Sequence, residues 1–266
     1  MSKLLVDRIL ENIKNLASVP SNQDRFSDEI IISNYIEDIL DTEILPMLKN
    51  LNNGYNLVVR KVMTDDEGAF DIPYDAYLRS LESIELNGAV LSESDLANGV
   101  RFEGNRVITN AKNKELTIKY VQTLPRLVKE LEVAKIQSVS SNNQIEIVPT
   151  LAGQTFNLID KNDGYIKATV NKISGSSNVL IIDSNKAKAG DYLSADDSSC
   201  LVRIPIVLVP LLERLVSNRI LLDIPDLEGY VQGVQISEIM KNNLTKVLTP
   251  RGSTSKIITK KPFIRR

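Results

Sequence analysis

The side chains able to do chemistry are few, and their types narrow the choices before their positions do. The chain of 266 residues contains no histidine, which removes imidazole bases, His-dependent triads and His-ligated metals. Its single cysteine, Cys200, has no partner for an internal disulfide or a cysteine zinc site. With no histidine to lower its pKa, and with Leu201 and Val202 beside it, Cys200 reads as a small buried hydrophobe rather than a nucleophile. Acids pair at Asp65-Asp66-Glu67 and at Asp196-Asp197, and paired carboxylates bind metals or move protons. Both pairs fall in Gly- or Ser-containing stretches with no second functional group adjacent, the pattern of solvated turns. Asp160-Lys161-Asn162-Asp163-Gly164 has the outline of a calcium loop, but its glycine stands fifth rather than sixth and the twelfth position is Asn171, not a bidentate glutamate. A hairpin turn is the expectation there. No phosphate-binding glycine motif is present. The reading is therefore non-enzymatic, with no catalytic, metal or cofactor residue assigned.

Charge is the other chemical signal. Six of the 32 basic residues and none of the 34 acidic ones fall in the last sixteen positions, so an acidic body ends in a basic tail with a partner of its own. The segment from Lys256 to Arg266 also carries Ile257, Ile258, Phe263 and Ile264, which a purely solvating tail does not need. An extended run mixing β-branched residues with Lys and Arg suits strand addition to a partner's sheet edge. Contact with nucleic acid through its charges ranks lower, because aromatic residues for base stacking are not clustered there.

The elements that must position these groups follow from periodicity. Leu4, Leu5, Ile9, Ile13, Leu16 and Ala17 recur at helical steps. A second helix starts at Ser27, its N-cap, and carries Ile32, Tyr35, Ile36, Ile39, Leu40, Ile44, Met47, Leu48 and Leu51. Pro46 is expected to kink or end it, and Asn52-Asn53-Gly54 to stop it. Short strands follow in two groups, one from Tyr55 to about residue 122 and one from about 131 to 195, with turns at Asp65–Gly68, Asn87-Gly88, Asn162–Gly164 and Ser174–Asn178. Pro205 or Pro210 then opens a helix through Leu211, Leu212, Leu215, Val216, Arg219 and Ile220. Asp226 caps a last helix with apolar positions Leu227, Tyr230, Val231, Val234, Met240, Leu244, Val247 and Leu248, and Pro250 ends it. The expected class is α+β: N-terminal helices in 1–54 and C-terminal helices in 201–250 pack into one body, an antiparallel β domain in 55–200 is inserted between them, and 251–266 is an extended arm. The longest apolar run, Ile204 to Leu212, is too short to span a bilayer. The start MSKLLVDRIL places Asp7, Arg8 and Glu11 where a signal peptide needs its apolar centre. A cytoplasmic site of synthesis and no membrane partner are expected.

The ordered set of these pieces resembles a known family, the head-to-tail connector (adaptor or neck-ring) proteins of short-tailed bacteriophages. The resemblance rests on Arg25-Phe26-Ser27-Asp28-Glu29 opening the long helix and Ile44-Leu45-Pro46-Met47-Leu48 near its end. Next come Tyr55, Ile72-Pro73-Tyr74, Leu78-Arg79-Ser80-Leu81 and Asn87-Gly88, then Phe102 through Ile108 and Leu124-Pro125-Arg126-Leu127-Val128. Gly190-Asp191-Tyr192, Ile204-Pro205 and Thr249-Pro250-Arg251 close the series. No single piece is specific; their order over some 220 residues carries the likeness. Lys119-Tyr120-Val121-Gln122-Thr123 is plainer than the Tyr- and Arg-rich strand usual before the Pro-x-x-Leu-Val element.

The resemblance implies a structural virion protein of the neck, between capsid and tail. It implies a homo-oligomeric ring, commonly a dodecamer, below the portal protein, with a tail hub or next neck ring beneath it and DNA passing through its lumen without sequence recognition. The portal-binding residues it implies are Lys256, Ile257, Ile258, Thr259, Lys260, Lys261, Pro262, Phe263, Ile264, Arg265 and Arg266. Two alternatives stand beside this reading. One is a lower neck-ring or tail protein of the same fold that binds another ring. The other is a DNA-binding protein that uses the basic tail.

Overall fold

The computed structural model describes residues 2–19, 24–50, 57–91, 99–140, 143–176, 178–195 and 198–248. It is an α+β protein. Helix α1, Val6–Leu16, presents Val6, Ile9, Leu10 and Ile13 to the core from one face. Ser27 opens the long helix α2, residues 28–50, and its hydroxyl accepts the Ile30 N–H. The apolar series Ile32, Ile36, Leu40 and Ile44 steps by four residues, whereas an ideal α-helix turns every 3.6. Two π-type turns, Ile32–Ile36 and Leu40–Ile44, absorb the difference. They keep all four side chains on one buried line.

Of the two outcomes expected at Pro46, a kink or an end, the end is corrected: the helix continues to Asn50. The π turn just before the proline is the reason. Leu45 N–H already bonds in the wider register to the Leu40 carbonyl. The Asp41 carbonyl, left without a donor by the proline, is taken by the Tyr77 hydroxyl at 2.7 Å.

The two C-terminal helices differ in setting. Helix α3, Val209–Asp223, enters through Pro210 and is buried on nearly all sides, as expected of a helix that is apolar around its circumference. Helix α4, Leu227–Leu248, is capped by Asp226, whose carboxylate accepts the Gly229 N–H at 3.0 Å. One apolar core holds α1, α2 and α3 together. The chain start joins it by pairing Leu5 with Leu201, and Val6 N–H bonds the Cys200 carbonyl.

The strands between the helical groups form two units with separate apolar cores. The first contains a four-stranded antiparallel sheet in the order β1-β7-β3-β4. Its strands are β1 Leu57–Met63, β7 Glu115–Val121, β3 Ser83–Leu86 and β4 Ala89–Val90. A smaller sheet of β2 Ala69–Asp71, β6 Arg106–Thr109 and β5 Val100–Glu103 packs with it around Phe70, Ile84, Val107 and Ile118. Gly68 adopts φ +82° in the turn before β2. A Cβ there would stand 2.1 Å from the Thr109 carbonyl oxygen, so only glycine fits.

A parallel pair joins the units to the helices: β8 Arg126–Leu127 lies beside β15 Ser198–Ser199. The second unit is a closed antiparallel barrel. It contains β9 Ala134–Val139, β10 Gln144–Val148, β11 Thr155–Ile159, β12 Ile166–Gly175, β13 Val179–Ile182 and β14 Tyr192–Ser194, in the order β10-β13-β12-β11-β14-β9. Hairpin-linked β11, β12 and β13 are followed by β14 beside β11, a Greek key. Period-two alternation fills it: Ile145 and Ile147 point in, Gln144 and Glu146 point out.

Among the described residues no helix is long and apolar enough to cross a membrane.

Candidate functional site

The acidic motifs at Asp65–Glu67 and Asp160–Gly164 prove to be turn chemistry. Asp65 accepts the N–H groups of Glu67 and Ala69 at 2.9 and 2.8 Å and pairs with Arg106. The Ala69 N–H is the first cause that holds its carboxyl below the ordinary range. Asp66 receives the Asn113 amide at 2.9 Å. Asp160 accepts the Asn162 N–H at 2.8 Å and Asp163 the Tyr165 N–H at 3.0 Å, which folds the β11–β12 hairpin tip. Asp196 and Asp197 lie outside the described residues. Among the described residues no cluster of His, Cys, Asp or Glu could hold a metal ion.

Cys200 is fully buried in the helical core. Burial first, and the Glu130 charge second, push its thiol up to about 12. It is therefore expected to resist thiol reagents at pH 8 in the folded protein and to react only as fast as the protein opens. Complete labelling within minutes under native conditions, with no loss of structure by circular dichroism, would contradict this placement.

The residues expected to dock a partner, Lys256 to Arg266, lie outside the described residues, as do Tyr55 and Thr249-Pro250-Arg251. Several other motifs of the resemblance fall at caps, turns and junctions, whereas Ile44–Leu48 lies inside α2 and Phe102–Ile108 spans the β5–β6 hairpin. Phe26 is buried beside the Ser27 cap. Asn87 and Gly88, both at positive φ, form the β3–β4 turn. Leu127 N–H bonds the Glu37 carboxylate at 2.6 Å, which ties β8 to α2. Asp191 closes the barrel: Lys167 Nζ lies 2.7 Å from both Asp191 and Asp160.

Asp28, next to the Ser27 cap, bridges α1 to the segment after β8. Lys129 and Lys14 reach its carboxylate at 2.6 and 2.5 Å. The hydrogen bond from Lys129, then that from Lys14, hold this carboxyl below its ordinary value of 3.8 against the opposing effect of burial. A carboxyl depressed in the folded state contributes stability above its unfolded pKa and loses it as pH falls through the folded one. Asp28→Asn is expected to cost about 1–2 kcal/mol at pH 7. In urea titrations the gap from wild type should close as pH drops below the ordinary carboxylate range. A gap unchanged at pH 2.5 would show that the charge is not its source.

Two features had no clear signal in the sequence. The first is Arg203, 3% exposed, at the junction of all three parts. Its Nη1 donates to Gln122 Oε1 at the end of β7 at 2.8 Å, and its guanidinium lies 4.3 Å from the ring centre of Tyr165 in the barrel. Gln122 in turn donates to Asp75 at 2.9 Å. From the segment that leads into α3, this one side chain touches both β units.

The second is the outward face of α4. Tyr230, Gly233, Val234, Ser237, Met240 and Leu244 form the inward stripe, yet only Gly233 and Ser237 are fully buried. Leu227, Val231 and Val247, expected among its apolar positions, are exposed, and so are Ile236 and Ile239. Glu238 is the single exposed charge between residues 229 and 245. Apolar residues at too many angles for one face are the signal that marks such a helix.

No protein-family model matches the chain, and no curated protein matches its sequence significantly.

Proposed function

We propose that this chain is a non-enzymatic structural protein of a phage virion, the adaptor ring between portal and tail. In this reading its copies close into a ring, commonly a dodecamer, through heterologous contacts. Residues Lys256–Arg266 dock on the portal: Ile257, Ile258, Phe263 and Ile264 fill pockets, and Lys260, Lys261, Arg265 and Arg266 meet acids. The lower face receives a tail hub or a next neck ring, and DNA passes through the lumen.

The observation that carries the reading is α4. A helix of 22 residues with two fully buried positions, and with Leu227, Val231, Ile236, Ile239 and Val247 exposed beside only three exposed charges, Glu228, Glu238 and Lys246, leaves much apolar surface in water. A neighbouring copy that covers it accounts for its composition. The order of the motifs is the second support. Multivalency lets each arm bind weakly while the ring holds firmly.

The test is co-sedimentation with the portal ring of the same phage, using the full chain and a version ending at Pro250. The full chain should pellet at near-equal copy number. The shortened one should keep its circular dichroism spectrum and lose the pellet. An Ile236→Glu, Ile239→Glu variant should stay folded yet fail to form rings in analytical ultracentrifugation. Docking that survives loss of the arm would sink the assignment. Capture by another ring instead would move the protein down the neck. Binding to DNA alone, weakening steeply with salt, would support the nucleic-acid alternative.

A further inference from the structure

Strand β1 is the outermost strand of its sheet, with β7 on one side and, among the described residues, no strand on the other. Thr64 N–H bonds the Lys114 carbonyl at 3.0 Å, and the Lys119 carbonyl serves Glu82 at 2.7 Å, on the β3 side. Antiparallel alternation then commits Val58, Arg60 and Val62 to β7. It turns the N–H and C=O groups of Leu57, Val59, Lys61 and Met63 away from the sheet. The pairing of β1 runs through seven residues without a bulge, and the strand contains no proline. Val59 and Met63 are 59% and 65% exposed. A long, regular, apolar edge is what folded proteins normally cover or interrupt.

A cleft of about 710 Å³ lies beside this edge, lined by residues 60–63 of β1, by β2 and by the segment that follows it. That segment holds Leu78 and Arg79 at φ +52°, a region that bulky residues avoid. It leaves Leu78 76% exposed and sets Arg79 in the cleft wall. Backbone strain of this kind persists where a surface is shaped for use.

Charge selects the occupant. Lys61 is paired with Glu115, and Arg106 with Asp65 and Glu67. Arg60 and Arg79 make no ion pair among the described residues, and Asp71 is the remaining carboxylate of the lining. A second copy pairing antiparallel through the centre of β1 would set Arg60 against Arg60 or, in the next allowed register, Lys61 against Lys61, and like charges opposite one another destabilise a sheet. The chain's own C-terminal arm, with six cations and no acid, meets the same objection.

We propose that β1 receives an extended acidic segment of another protein as an added strand. Its apolar residues lie beside Val59 and Met63 on the outer face, and its carboxylates alternate with them toward Arg60 and Arg79. This site does not depend on the adaptor reading, since the edge is a property of one folded chain.

The test measures fluorescence anisotropy of a labelled nonapeptide of alternating valine and glutamate with the full-length protein. Three competitors are used: the same peptide N-methylated at alternate amides, its valine–lysine counterpart, and a twenty-base single-stranded oligonucleotide. The glutamate peptide should bind saturably and at least ten-fold more tightly than the lysine and N-methylated versions. Val59→Pro removes an outward N–H and no ladder bond, so it should abolish binding with an unchanged melting curve. Arg79→Glu should weaken binding at least ten-fold. Absence of binding, equal binding of the two charge types, or indifference to N-methylation would overturn the proposal. Displacement by the oligonucleotide would overturn it too and give the cleft to nucleic acid.

Discussion

Asp191→Ala should lower the melting temperature by roughly 10 °C and strip amide-exchange protection from β9, β11 and β14 before the rest of the chain. Asp191 is 1% exposed and carries much of the barrel closure. One carboxylate oxygen accepts Lys167 Nζ at 2.7 Å and the Lys188 N–H at 2.9 Å; the other accepts the Lys161 N–H at 3.3 Å. Its backbone carbonyl takes the Ile136 N–H at 2.8 Å. One residue thus holds the β11–β12 turn, the loop before β14 and the barrel strand β9. Removing one partner of a buried ion pair costs about 3–5 kcal/mol, because the remaining groups stay desolvated. Asp160 still faces Lys167 at 2.7 Å, which places the loss at the lower end of that range. Asp191→Asn keeps the shape and one carbonyl acceptor but turns an amide donor or a neutral oxygen toward Lys167, so it should recover only part of the loss. A variant that melts within 2 °C of wild type would show that the barrel closes without this network.

That network also shows where reading the sequence succeeds and where it stops. Gly190-Asp191-Tyr192 was visible as a step in an ordered pattern, but nothing local reveals that Asp191 meets Lys167 and Asp160. The contact needs the β14 pairings with β11 and β9 that only closure of the barrel makes. Caps and turns were legible because their chemistry is local: Ser27 and Asp226 accept N–H groups three residues on, and Asn87-Gly88 supplies two positive φ values. The stripe from Ile32 to Ile44 was legible too, but not its winding. The passage of the helix through Pro46 depends on a hydroxyl from Tyr77, distant in sequence. The inward face of α4 was read in part. Tyr230, Met240 and Leu244 pack against the core, while Leu227, Val231 and Val247 do not. Hydrophobicity alone does not distinguish a position that faces its own core from one that faces a partner.

Gly233→Ala should destabilise the protein by about 1–3 kcal/mol, although alanine in a helix interior ordinarily gains roughly 0.5–1 kcal/mol over glycine. The reversal comes from the crossing of α4 over α3. A Cβ on Gly233 would stand 1.9 Å from Asn218 Oδ1. Asn218 is 4% exposed, its Oδ1 has no hydrogen-bond partner among the described residues, and its amide reaches Ser237 Oγ at 3.4 Å. The glycine therefore makes room for a polar group that the crossing leaves half satisfied. Asn218→Ala removes both the clash and the orphaned oxygen, and in that background Gly233→Ala should be neutral or stabilising. The double-mutant cycle in urea should then show a coupling of about 1.5 kcal/mol or more, well beyond the additivity expected of independent sites. Additive losses would mean that α4 does not approach α3 through this pair. The contact matters beyond stability, because Ile236 and Ile239 project from the same helix on the side away from it. How closely α4 lies on α3 sets how far those two apolar side chains stand out from the helical body.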